Sequence, residues 1–135
     1  MTIEEFIEAR LTEDETIAGA IPHGVWRAEV KHGAALVVDS DADTVVIVGD
    51  ERENAHIARH DPARSLRQVE ALRAVVGRRA GEHREQYGNC ETCRDYDFHS
   101  EYRPVPWPCP TARAIAAIWS DHPDYRTDWD TRDQG

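Results

Sequence analysis

The chain reads as an α+β protein: an N-terminal helix, a three-stranded antiparallel meander, a long central helix and a C-terminal helix, the last two joined by a zinc-bound loop. Three observations predict this. Apolar residues at helical spacing open the chain. Three short strand-like runs follow, with only turn residues between them. All three cysteines then fall in one segment, H-x6-C-x2-C-x15-C, from His83 to Cys109. At 135 residues, 40% of them hydrophobic, the chain can bury one modest core, so residues 1–135 are expected to form a single domain.

Thr2 and Glu5 make a capping box, and Ile3, Phe6, Ile7, Leu11, Ile17 and Ala18 give one apolar face to a helix over residues 1–20. Ile21-Pro22-His23-Gly24 ends it. The sheet over residues 25–48 is expected from Val25 to Lys31, Ala35 to Ser40 and Thr44 to Val48, with His32-Gly33 and Asp41-Ala42-Asp43 as the turns. In the first run Trp26, Ala28 and Val30 alternate with Arg27 and Glu29, the pattern of a sheet with one covered and one wet face. Asp39, Asp41, Asp43 and Asp50 superficially resemble a calcium loop. Thr44 stands where that loop needs Gly, and Asp50 where it needs a bidentate Glu, so the segment is read as an acidic hairpin turn.

Residues 51–87 are expected to form a broken long helix. Asp50 and Glu53 cap a first piece from Glu51 to Arg59, which Pro62 prevents from continuing. Asp61-Pro62 then restarts the helix, with Asp at the N-cap and Pro at the first position. This second piece should run to about Tyr87, weakened near its end by Gly77 and Gly81. His56 and His60, four apart, share one helical face and, with Asp61 nearby, make a possible second metal or acid-base site. HIARH lacks the Glu of a hydrolytic HExxH motif, so one packed and one exposed histidine is the plainer reading.

Residues 88–109 are the zinc loop. A CxxC turn presents two thiolates to one tetrahedral ion, so Cys90, Cys93 and Cys109 need one histidine to complete a Cys3His set. Val69, Val76 and His83 recur every seven residues beside Leu66, Leu72 and Ala80, which puts His83 on the buried stripe of the preceding helix. His99 lies in the polar run DYDFHSEY. His83 is therefore preferred over His99 as the fourth ligand. A redox CxxC would open a helix in a βαβ setting, and none is present. Cys109 precedes a helix over residues 111–120, whose Pro110 suits a helix start and whose dipole favours a thiolate. Zinc would thus clip one helix end to the next helix start. Ile115, Ala116, Ile118 and Trp119 give that helix its buried side. In the tail, residues 121–135, Tyr125 and Trp129 can fold back as anchors.

The net charge of −10 argues against general nucleic-acid binding through the whole surface. Its distribution is uneven: residues 1–20 hold six acids against Arg10, while residues 59–84 hold seven arginines against Asp61, Glu70 and Glu82. Either the acidic first helix lies against this basic one, or Arg64, Arg67, Arg73, Arg78 and Arg79 await an anionic partner. No apolar run is long enough to cross a membrane and the acidic start is unlike a signal peptide, so a cytoplasmic protein is expected, where thiols stay reduced.

The phrases MTIEEFIEAR, HIARHDPARSLRQVEALR, the CxxC and PCPTARAIAAIWSDHPDYRTDW together resemble a family of small uncharacterised proteins of actinobacteria and their phages, a domain of unknown function. The resemblance covers nearly the whole chain. It departs at Glu70-Ala71-Leu72-Arg73, where the family more often has Glu-Ala-Lys-Arg. It implies an intracellular protein with a phage or mobile-element connection, and no activity. The leading expectation is a zinc-stabilised, non-enzymatic interaction or regulatory protein whose partner is another protein. A nucleic-acid-binding protein using the arginine helix comes second, and a metal-dependent hydrolase using His56, His60 and Asp61 third.

Overall fold

The structure, a computed structural model, describes residues 1–77, 81–96, 99 and 101–130. It is α+β, as expected, and forms two compact units: Met1–Thr12 with Glu70–Gly135, and Glu13–Val69. The division falls within two helices, α1 (Ile3–Gly19) and α3 (Pro62–Val75).

In the second unit, β1 (Arg27–Lys31), β2 (Ala34–Val38) and β3 (Thr44–Val48) form an antiparallel meander in the order β1-β2-β3. The first turn is His32-Gly33, with both φ angles positive (53° and 76°), the twist that suits a two-residue hairpin. The second is organised by Asp39, whose Oδ1 accepts from the N–H groups of Asp41 (2.9 Å) and Asp43 (3.1 Å), the acidic turn read from the sequence. The one-face-wet reading of β1 needs correction. Burial is concentrated on the central strand, where Leu36, Val37 and Val38 are all buried. Val30 on β1 and Ile47 on β3 are 56% and 67% exposed, because both strands are sheet edges.

Helix α2 (Glu51–Arg59) starts at Asp50, whose side chain accepts from the N–H groups of Arg52 and Glu53. It is fixed to the sheet by Asn54, which is 2% exposed and donates to Glu29 O (3.0 Å) and Leu36 O (3.2 Å). Asp61 caps α3 as expected: Oδ1 accepts from Arg64 N–H (2.8 Å), while Oδ2 accepts from Trp26 N–H (3.1 Å).

In the first unit, Thr2 and Glu5 form the expected capping box: Thr2 N–H donates to Glu5 Oε2 (2.8 Å) and Glu5 N–H to Thr2 Oγ1 (3.2 Å). Ile3, Phe6, Ile7 and Leu11 are buried, whereas Ile17, expected on the same face and part of the second unit, is 70% exposed. The Phe6 ring meets Trp129, Tyr125 and His122 at centroid distances of 5.2, 5.9 and 5.9 Å, so the tail does fold back on aromatic anchors. Helix α4 (Pro110–Ala116) buries Ala112, Ile115 and Ala116. It tightens into a single 3-10 turn, Ala117–Trp119, and the change of period leaves Ile118, expected inside, 51% exposed.

The long helix ends earlier than its pattern suggests, at Val75 rather than near Tyr87. Gly77 and Gly81 are more than weak helix formers. The chain folds back so tightly that a Cβ on Gly81 would lie 2.0 Å from Gly77 N. The returning segment then satisfies the last carbonyls of the helix: Glu82 N–H donates to Ala74 O (2.9 Å) and His83 N–H to Val75 O (2.8 Å). His83 is therefore positioned beside the helix end, in a parallel bridge with Val76, and not on the helical stripe.

Candidate metal centre

Between α3 and α4 the described residues form two-residue strands: β4 (Glu85–Gln86) with β5 (Asn89–Cys90), and β6 (Asp95–Tyr96) with β7 (Tyr102–Arg103). The β4–β5 hairpin turns through Tyr87 (φ 52°) and Gly88 (φ 83°), the pair of positive angles a tight hairpin requires. This delivers Cys90 at the end of β5, where its N–H donates to Val105 O (2.8 Å), and Cys93 one turn later. Cys109 arrives as the residue before α4.

The result is a group of four donors, His83, Cys90, Cys93 and Cys109, whose ligand atoms all lie within 4.8 Å of one another and can hold a metal ion. Nδ1 of His83 lies 3.6 Å from Cys90 Sγ, 3.3 Å from Cys93 Sγ and 3.6 Å from Cys109 Sγ. A single ring nitrogen has one proton or one lone pair and cannot serve three sulfurs by hydrogen bonding. Metal–sulfur bonds of about 2.3 Å and a metal–nitrogen bond of about 2.05 Å at tetrahedral angles put nitrogen about 3.6 Å from each sulfur. The donor set and its spacing therefore fit a four-coordinate ion.

Electrostatics point the same way. Burial pushes the Cys93 thiol up to about 12, with Cys90 and Cys109 adding to the rise. Cys109 is also raised, by burial first, although Ala112 N–H aims at its sulfur without closing a regular side-chain cap. For Cys90 burial again opposes ionisation. The N–H groups of Cys93 and Thr92 and the neighbouring thiols outweigh it, and its value is lowered. Three thiols packed together resist ionising together unless a cation joins them, and a bound divalent ion inverts that balance.

The other sequence candidates sit elsewhere. His99 is exposed and outside the group. His56 and His60 do share a face, with ring centroids 4.6 Å apart, and both are exposed. His60 is held below its ordinary value by desolvation and then by Arg64, His56 and Arg59. Both Asp61 carboxylate oxygens are taken by backbone N–H groups. Arg73 is engaged by Glu8 (2.9 Å), Arg64 donates to Arg59 O (3.3 Å), and Arg67 is exposed. Arg78 and Arg79 lie outside the described residues. No described helix is long and apolar enough to cross a membrane.

Sequence reasoning missed a different group. Glu4 and Arg10 are 8% and 6% exposed, charged residues on the buried side of α1. The signal was present: Glu4, Ile7 and Leu11 stand at helical spacing on the apolar stripe, so Glu4 interrupts it.

A small α+β protein with a closed Cys3His group is the class this fold and site define. Residues 1–131 match the family of unknown function DUF6221, and the chain belongs to that family. No curated protein and no solved structure matches it.

Proposed function

We propose that His83, Cys90, Cys93 and Cys109 hold one structural zinc ion, in a non-enzymatic interaction or regulatory protein of actinobacterial, phage or prophage origin that works in the cytoplasm through a protein partner. The observation that carries the metal reading is the position of His83 Nδ1, 3.3 to 3.6 Å from all three cysteine sulfurs at once. Four protein donors fill a tetrahedral ion completely and leave no coordination position for substrate or activated water, which favours a structural role over a hydrolytic one. Three thiolates and an imidazole suit zinc. The ion would tie the segment after α3, the β4–β5 hairpin and the start of α4 to one point, in a stretch with little regular structure of its own.

Elemental analysis of untagged protein, followed by the visible spectrum after cobalt substitution, tests this. One zinc per chain and a tetrahedral, thiolate-rich cobalt spectrum are expected. A metal-free protein that folds unchanged would overturn the reading, and a five-coordinate cobalt spectrum would replace it with an open, reactive site.

A further inference from the structure

The first unit contains a cavity of about 510 Å³ whose lining includes Glu4 from the first turn of α1, Arg84, Trp107, Arg113, Arg126 and Trp129. Its size lies in the range of small-molecule sites. Its charges are what make it specific. Arg84 pairs with Glu91 (2.7 Å) and Arg126 with Asp128 (2.6 Å), so both are neutralised within the chain. Among the described residues Arg113 donates to the carbonyl oxygens of Pro108 (2.9 Å) and Asp128 (3.4 Å) and pairs with no carboxylate. Glu4 is 8% exposed, yet among the described residues no hydrogen bond or ion pair reaches its carboxylate.

A carboxylate on a residue with so little exposure gains from a cationic partner. With Arg84 and Arg126 paired, Arg113 and the carboxylates of Glu4 and Glu85 remain; Glu85 accepts from Gly88 N–H (2.6 Å), Glu4 and Arg113 do not pair with each other, and two indole rings line the same cavity. A carboxylate receives an ammonium group by charge pairing, and indole rings in the wall receive an apolar side chain. A guanidinium with free N–H groups receives a carboxylate. We propose that this cavity binds a small zwitterion of the amino-acid type, its ammonium group at Glu4 and its carboxylate at Arg113, with its side chain against Trp107 and Trp129. The zinc reading is not needed for this assignment.

The test is two-dimensional NMR of the indole N–H signals of the full chain, as isolated with its metal, while each standard L-amino acid is added in turn at millimolar concentration. At least one should shift the Trp107 and Trp129 signals saturably. The amide of that amino acid, which lacks the carboxylate, and its N-acetyl derivative, which lacks the ammonium, should each bind at least about tenfold more weakly. Glu4→Gln should weaken binding of the parent amino acid by a similar factor while leaving the binding of its N-acetyl derivative unchanged. Arg113→Met should do the same with the amide as the insensitive probe. This crossed pattern separates lost recognition from lost folding. The assignment is overturned if no amino acid shifts the signals, or if the binder is equally tight to both variants.

Discussion

The two units are held together by different means. In Glu13–Val69 the backbone does most of the work: three paired strands, a helix capped by Asp50 and another by Asp61. Large apolar side chains can stay exposed there, as Val25, Val30 and Ile47 do, because the ladder does not depend on burying them. In the unit containing Glu70–Gly135, by contrast, the described residues between 83 and 109 form four strands of two residues each. Such short pairs are marginal in water. Cys90 and Cys109 are 0% exposed, and the loop is gathered around its thiols. With the proposed ion in place, one unit would depend on a metal and the other would not.

Metal removal is the strongest way to break that comparison. Structural zinc binding in small domains is worth about 10–16 kcal/mol near neutral pH. A chelator, or Cys109→Ser, should abolish amide-exchange protection across residues 83–109 while β1–β3 keep theirs. Loss of protection in both units together would show that they unfold as one structure. Uptake should also release protons. With Cys93 pushed up to about 12 and Cys109 raised, both thiols are protonated at pH 7 in the metal-free chain. Binding then displaces at least two protons, and apparent affinity should fall about a hundredfold for each unit of decreasing pH in that region. Competition against a chelator of known affinity at two pH values measures this.

Phe6→Ala should come next. Phe6 is 0% exposed and sits among Trp129, Tyr125 and His122. Truncating a buried aromatic costs about 3–5 kcal/mol. Thermal melts should show the loss, and the fluorescence of Trp129 should move to longer wavelength as its shielding opens.

How much of this the sequence carried follows the same divide. The meander, the acidic turn at Asp39, the Asp61-Pro62 restart and the Thr2–Glu5 cap were all legible, because each depends on residues within a few positions of one another. The loop was legible only as a set of ligands. His83 belongs with the cysteines, although the reason first offered, a place on a helical stripe, does not hold. The heptad from Val69 through Val76 to His83 persists in the sequence after the helix has stopped at Val75. Just past the helix end Gly81 N–H donates to Gly77 O (3.2 Å) and the two backbones meet, a tight local turn that periodicity does not register. The unpaired charges of Glu4 and Arg113 are separated by more than a hundred residues, and only the fold brings them to one cavity.

A smaller effect sharpens the backbone-held side of the comparison. Asn54→Ala removes two hydrogen bonds and leaves Glu29 O and Leu36 O without the amide that joins α2 to β1 and β2. A buried acceptor left unmade costs about 1–3 kcal/mol. Denaturant unfolding should register that loss, while metal affinity, a property of the other unit, should not change.

The smallest expected effect concerns the uneven charge of the chain. Arg73 Nη2 lies 2.9 Å from Glu8 Oε1 and its Nε 3.1 Å from the same oxygen, with Thr12 Oγ1 at 3.3 Å from Nη2. Here the acidic first helix does partly neutralise the arginine helix. The side chains are 33% and 55% exposed, so water screens the pair and its contribution should be only about 0.2–1 kcal/mol. A double-mutant cycle of Glu8→Gln with Arg73→Gln measures that coupling, which should shrink further as salt is raised. A coupling well above 1 kcal/mol that persisted in high salt would mean that these charges are far better shielded than the pair's exposure implies. The arginines of α3 would then have to be counted with the framework of the fold, and no longer as charge available to a partner.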